Sequence, residues 1–228
     1  MGVNQPELSV NKLAEYIVSK GGRQRKLLRD RKYPDDDFQM GMFHREASEA
    51  VRRYIADGCV DAVPIENQIA ALKQQSPDKI GTIRRINANI DAMERFLNML
   101  DDLGIEGEPE LGSHTAEKIT IHGVKISVRP EIVIRGAGPK GKKLVGAVKL
   151  HFSKSFQMDA EAAGYVSAVV QQFCKDHLLG PDETLFSDYC KVIDIGSGNV
   201  FPGVKATTAR MRDVAAECQN IAGIWPTI

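Results

Sequence analysis

Aromatic side chains are scarce, at 6% of 228 residues. That argues against the stacking platforms on which single strands of nucleic acid are held. Net charge is absent too: 30 Lys and Arg offset 30 Asp and Glu. A globally basic nucleic-acid binder is therefore excluded, and any such contact must come from a local patch. The four cysteines, at 59, 174, 190 and 218, form no CxxC pair and no zinc-like spacing with histidine. They read as reduced thiols, several of them buried. The phosphate-binding and hydrolase signatures GxGxxG after a strand, Walker A, HExxH and GxSxG are missing. The start, MGVNQPELSV, lacks the apolar stretch of a secretory leader, and Pro6 stands where a myristoylation signal needs Ser or Thr. Charge breaks every apolar run before a membrane-spanning length. The expectation is a soluble cytoplasmic protein.

What is present divides into two styles. Up to residue 104 the pattern is helical. Leu8, Leu13, Ile17 and Val18 recur at helical spacing, with Ser9 or Asn11 as candidate caps. A basic stretch follows, with Lys20, Arg23, Arg25, Lys26, Arg29, Arg31 and Lys32, and Asp35, Asp36 and Asp37 offset it at once. Such a run is commonly a solvated face, and phosphate binding is the alternative. Residues 38–57 read as an amphipathic helix with Phe43, Ala47, Ala50, Val51, Tyr54 and Ile55 on one stripe. Residues 60–74 and 78–103 read as two more helices.

From residue 114 the period shortens. Residues 104–113 read as a polar linker, and 117–128 alternate in the two-residue rhythm of strands, with His122-Gly123 in the middle as a hairpin turn or a bulge. Residues 129–134 extend or restart that strand. GAGPKGKK is a lysine-bearing turn, and 144–152 is apolar on both faces in its centre, which suits an interior strand. A helix over 158–179, a strand over 190–198 and a helix over 205–223 complete the order. The expected fold is α/β with a mixed central sheet, residues 114–228 forming the core and 1–104 a helical region that contributes the first core helix.

The chemistry concentrates in RPEIVIRGAGPKGKKLVGAVKLHFSK. An antiparallel pairing brings Glu131 near Lys149. A carboxylate beside a lysine at a sheet cleft suits metal-assisted phosphodiester hydrolysis, the acid holding the ion and the amine orienting water or stabilising the phosphorane. Lys149 sits among Val145, Gly146, Ala147, Val148 and Leu150, where an unpartnered ammonium is costly, so it must reach solvent or meet an acid. For Glu131 the bland alternative is a solvated carboxylate beside Arg129 or Arg135. His44, beside Phe43, reads first as a partly buried structural residue. His151 shares the face of Lys149, where it could touch phosphate or cover the sheet. Ser153 and Lys154 continue this polar end and could contact a nucleic-acid backbone. Asp194 interrupts Val192-Ile193-Asp194-Ile195 as either a partner for Lys149 or a strand-end residue.

Pro130-Glu131, a spacer and Ala147-Val148-Lys149, within the order helix, three strands, helix, strand, resemble the PD-(D/E)XK nuclease superfamily and its RecB-like or exonuclease-like members, over about residues 38–200. The resemblance implies a restriction-endonuclease-like αβββαβ core and a Mg²⁺- or Mn²⁺-dependent nuclease acting on DNA. Glu131, Lys149 and Glu49 would be catalytic, and Glu131, Glu49 and Glu46 would hold the metal. The family's helix motif is represented by His44, Glu46 and Glu49. Its Gln/Tyr motif is represented by Tyr165, Gln171 and Gln172, in reversed order. Lys154, His151, Tyr165, Gln171, Arg25 and Arg29 would contact nucleic acid. One departure matters: the family carries an acid two residues before the lysine, and Ala147 stands there. The alternative is a catalytically degenerate nuclease fold that binds nucleic acid, a protein partner or a second copy of itself.

Overall fold

The computed structural model describes residues 4–34 and 43–228. The start of the helix expected from residue 38, the Asp35–Asp37 run and the first three residues lie outside them. The segment apolar on both faces is indeed interior. It forms β6 (Lys143–His151), in the middle of a mixed sheet ordered β2-β5-β6-β8-β9. Strands β2 (Glu108–Leu111) and β5 (Ile132–Ala137) run antiparallel, as do β5 and β6. Helix α6 (Ala160–His177) then crosses over, and β8 (Val192–Asp194) returns parallel to β6. Strand β9 (Asn199–Phe201) pairs antiparallel with β8. A short β7 (Glu183–Leu185) pairs with the start of β6, beside Arg135, which bonds Glu183 and Glu110.

Residues 118–127 do not join this sheet. His122 and Gly123 both have positive φ, 45° and 80°, as a two-residue type I′ hairpin requires. The hairpin of β3 (Lys118–Ile121) and β4 (Val124–Ser127) instead pairs with β1 (Glu7–Ser9) in a separate three-stranded sheet. β1 is too short for any periodicity to show. β2, within the stretch read as linker, carries Pro109 and lies at the sheet edge, where a missing N–H is tolerated.

The N-terminal helices divide between the two faces of the large sheet. α1 (Val10–Val18) and α2 (Gly21–Lys32) pack with α6, α7 (Thr208–Ile224) and Trp225 on one side. α3 (Arg45–Ala56), α4 (Val63–Lys73) and α5 (Ile80–Leu97) cover the other. Alternation along the strands sorts the contacts. Ile132, Ile134, Val148 and Leu150 meet Val51, Met93 and Phe96, whereas Ala147 packs with Val166 and Val170 on the α6 side. The N-terminus of α3 has no side-chain cap of its own, and Asn89 supplies one from α5, its Oδ1 accepting from the Ala47 N–H at 2.8 Å.

Candidate functional site at the carboxyl end of the central strand

β6 runs past β5. The last rung between them joins Ile132 to Val148, and before Ile132 the chain bends away through Pro130 and Arg129, which takes a left-handed φ of 41°. Gly112, at the end of β2, makes room for that bend: a Cβ there would lie 1.9 Å from the Pro130 carbonyl oxygen. Beyond the rung, Lys149 donates its N–H to Lys191 on the β8 side. The N–H and C=O of Leu150 therefore face the edge that β5 has vacated. Side chains take over there. The Leu150 N–H donates to Glu131 Oε2 at 2.8 Å, and Asn11 Nδ2 of α1 donates to the Leu150 carbonyl at 2.9 Å. Glu131 Oε1 accepts from Lys149 Nζ at 2.8 Å, and the same ammonium donates to the Arg129 carbonyl at 2.9 Å. With side chains only 9% and 18% exposed for lysine and glutamate, each charge is compensated where neither could stand alone.

Two residues along β6 on the same face, His151 is buried, and its Nε2 donates to the Phe156 carbonyl at 2.7 Å. Burial drives its pKa below the ordinary histidine value, as does Lys12, and the Phe156 carbonyl, Asp194 and Glu15 offset this only in part. Asp194, opposite His151 in the register, is wholly buried and accepts the N–H groups of Met158 (2.7 Å) and Gly196 (2.9 Å). It thus anchors two loops. Gly196 is obligatory, since a Cβ there would sit 2.3 Å from the Ser153 carbonyl oxygen. Glu15 of α1 is wholly buried on this same face. It accepts from Lys12 at 2.7 Å and from Arg23 Nε of α2 at 3.0 Å.

The acids expected from the first core helix are elsewhere. Glu46 and Glu49 sit on α3, which packs on the face of Val148 and Leu150, whereas Lys149 shares the opposite face with Ala147. Glu46 is paired with Arg85, and Glu49 with Arg53 at 2.8 Å and Arg52 at 3.8 Å. The expectation that either joins Glu131 is corrected: α1, not α3, covers the lysine face. Among the described residues no three His, Cys, Asp or Glu side chains are grouped to hold a metal ion. Both Glu131 oxygens are already engaged by donors, so the residues present do not fit a Mg²⁺ or Mn²⁺ centre.

The expected nucleic-acid contacts also need correction. His151 is buried against Phe156, and Gln171 is buried with its amide donating to the Val204 carbonyl at 2.6 Å and to Ser167. Neither can meet a phosphate. Tyr165 donates to Asp213 of α7 at 3.1 Å, and Gln172 to Asp176. Lys154 is half exposed but pairs with Asp91 at 2.6 Å. His44 stacks on Phe152, and its burial likewise lowers its pKa. Arg25 and Arg29 are exposed, with no acidic partner among the described residues.

Ser9, not Asn11, caps α1, and the sequence pattern assigns Lys12 and Glu15 no role at this site. A signal exists: Glu15 interrupts the apolar run Leu13, Ala14, Tyr16 and Ile17, with Lys12 one turn before it. No family model matches the chain, and no curated protein matches it.

Proposed function

We propose that the chain is a nuclease-like α/β domain of the PD-(D/E)XK kind that has lost metal-dependent hydrolysis and binds nucleic acid without cutting it. Supporting the kinship are the order β2, β5, β6, α6, β8, with three antiparallel strands followed by a parallel return across a helix, and the acid–lysine pair on adjacent strands. One observation carries the loss: Glu131 and Lys149 are closed on each other and on the backbone, with Ala147 packed in the α6 core where the family has an acid. In that state Glu131 serves as a side-chain substitute for the missing rung of β5. Lys149 neutralises it instead of orienting water.

The second reading, active hydrolysis, is favoured by the same pair lying where β6 runs on past the end of β5. One experiment decides between them. Purified protein is incubated with labelled duplex and single-stranded DNA in Mn²⁺, then in Mg²⁺, and binding is measured in parallel in EDTA. We expect binding and no cleavage. Cleavage that requires Mn²⁺ and disappears in a folded Glu131→Gln variant would overturn the proposal.

A further inference from the structure

Helix α2 carries more positive charge than its contacts with the rest of the fold engage. Its twelve residues hold six cations and one anion, Asp30. Four of the cations are spent inside the molecule. Arg23 binds Glu15, Lys26 pairs with Asp30, Arg31 donates to the Glu7 carbonyl and carboxylate, and Lys32 donates to the Trp225 carbonyl while lying 5.8 Å from that ring. Among the described residues Arg25 and Arg29 have no acidic partner, and both are exposed and one turn apart on the same face of the helix. Arg29 lies in the last turn, where the helix dipole welcomes a cation. Arg25 lies in the amino-terminal half and gains nothing from the dipole. The apolar residues of α2, Leu27 and Leu28, are buried against Trp225 and the α1–α6 core, so the helix is a fixed platform.

We propose that the outward face of α2 grips the phosphate backbone of duplex nucleic acid through Arg25 and Arg29. This rests on the chain binding nucleic acid, and holds whether or not Glu131 and Lys149 are catalytic. The two residues are attached about 6 Å apart along the helix axis, a spacing from which their side chains can reach neighbouring phosphates on one strand, and guanidinium forks suit phosphate oxygens. A membrane surface fits less well. An interfacial helix needs an apolar face to insert, and both leucines of α2 already lie in the core. Single strands fit less well too, because they are held by a series of stacked aromatic rings, and among the described residues Tyr33 is the one exposed aromatic adjoining this helix.

The test measures binding of a fluorescent 25-base-pair duplex by anisotropy over a series of salt concentrations. It uses the full chain, Arg25→Gln/Arg29→Gln, Arg25→Lys/Arg29→Lys and Glu131→Gln/Lys149→Met. Each lost phosphate contact lowers the slope of log K against log salt by about 0.9, so the glutamine variant should lose about 1.8 of slope and bind at least tenfold more weakly at low salt. The lysine variant should keep the slope. An unchanged slope in the glutamine variant would overturn the inference. So would loss of duplex binding only in Glu131→Gln/Lys149→Met, which moves the contact to the sheet notch. Binding to phosphatidylserine vesicles that falls in the glutamine variant while duplex binding holds would likewise overturn it, in favour of a lipid surface. Metal-dependent cleavage with a normal α2 slope change would defeat the proposed loss of hydrolysis and leave this inference standing.

Discussion

The two faces of β6 are made by alternate residues of one strand and end in opposite kinds of environment. Val148 and Leu150 look toward α3 and α5 and meet Val51, Met93 and Phe96. Lys149 and His151 look toward α1, among Glu131, Glu15 and Asp194. One face is held by shape and the other by matched charge and hydrogen bonds. The difference teaches where function can reside. An apolar face gains nothing from exactness of charge, whereas a buried polar cluster stays folded only while each member keeps its partner.

The largest expected effect lies on the apolar face. Phe96 is fully buried, and Phe96→Ala should cost about 3–5 kcal/mol in a urea titration without changing nucleic-acid affinity in the fraction that is folded. A cost under about 1 kcal/mol would mean that the face is loosely packed, and the contrast drawn here would fail.

On the polar face Glu131→Gln should cost somewhat less, about 2–4 kcal/mol, because it strands the Lys149 ammonium beside one carbonyl. Lys149→Met added to it should restore much of the loss. A double-mutant cycle read by urea unfolding checks the coupling. Additive costs would show that the two charges do not depend on each other.

The contrast between the faces also explains what could be read in advance. Periodicity suffices for β6, α6 and β8, since a strand apolar on both sides in its centre has few places to go but the interior of a sheet. Lys149 needed an acid, and Glu131 stood at the right spacing to supply it. A two-residue period also puts Lys149 and His151 on one side. It does not say which helix covers that side, because α1 and α3 both carry glutamate and both precede the sheet. Which one docks there is settled by tertiary packing: α1 follows β1, whose three residues pair with β4, a contact 118 positions away in the register of Glu7 with Lys125. Nothing local in ELS announces it.

The histidines at the end of β6 sharpen the comparison through pH. His151 on the polar face and His44 against Phe152 both have pKa values lowered chiefly by burial. Above about pH 6.5, the unfolded value, both are neutral whether folded or not, and nothing is lost. As pH falls below it, the unfolded chain takes up protons that the fold refuses, so stability declines by up to about 1.4 kcal/mol per unit for each histidine. His151, the more buried, should account for more of this. Unfolding free energies at pH 7.5 and 5.0 should therefore converge more in His151→Gln than in His44→Gln. An equal pH dependence in the wild type and both variants would show that neither ring is kept neutral by the fold.

The smallest effect is expected at Glu49, and its smallness is informative. Glu49 is 40% exposed and pairs with Arg53 on the same helix. Pairs of that sort contribute about 0.3–0.5 kcal/mol, so Glu49→Gln should scarcely move the urea midpoint. If the site lies on the α1 face, the substitution should also leave duplex binding and any Mn²⁺-dependent cleavage as they were. A Glu49→Gln protein that melts normally yet loses either property would show that the acid of α3 reaches the working groups after all. The separation of the two faces would then be structural only, and the assignment of the lysine face to α1 would have to be given up.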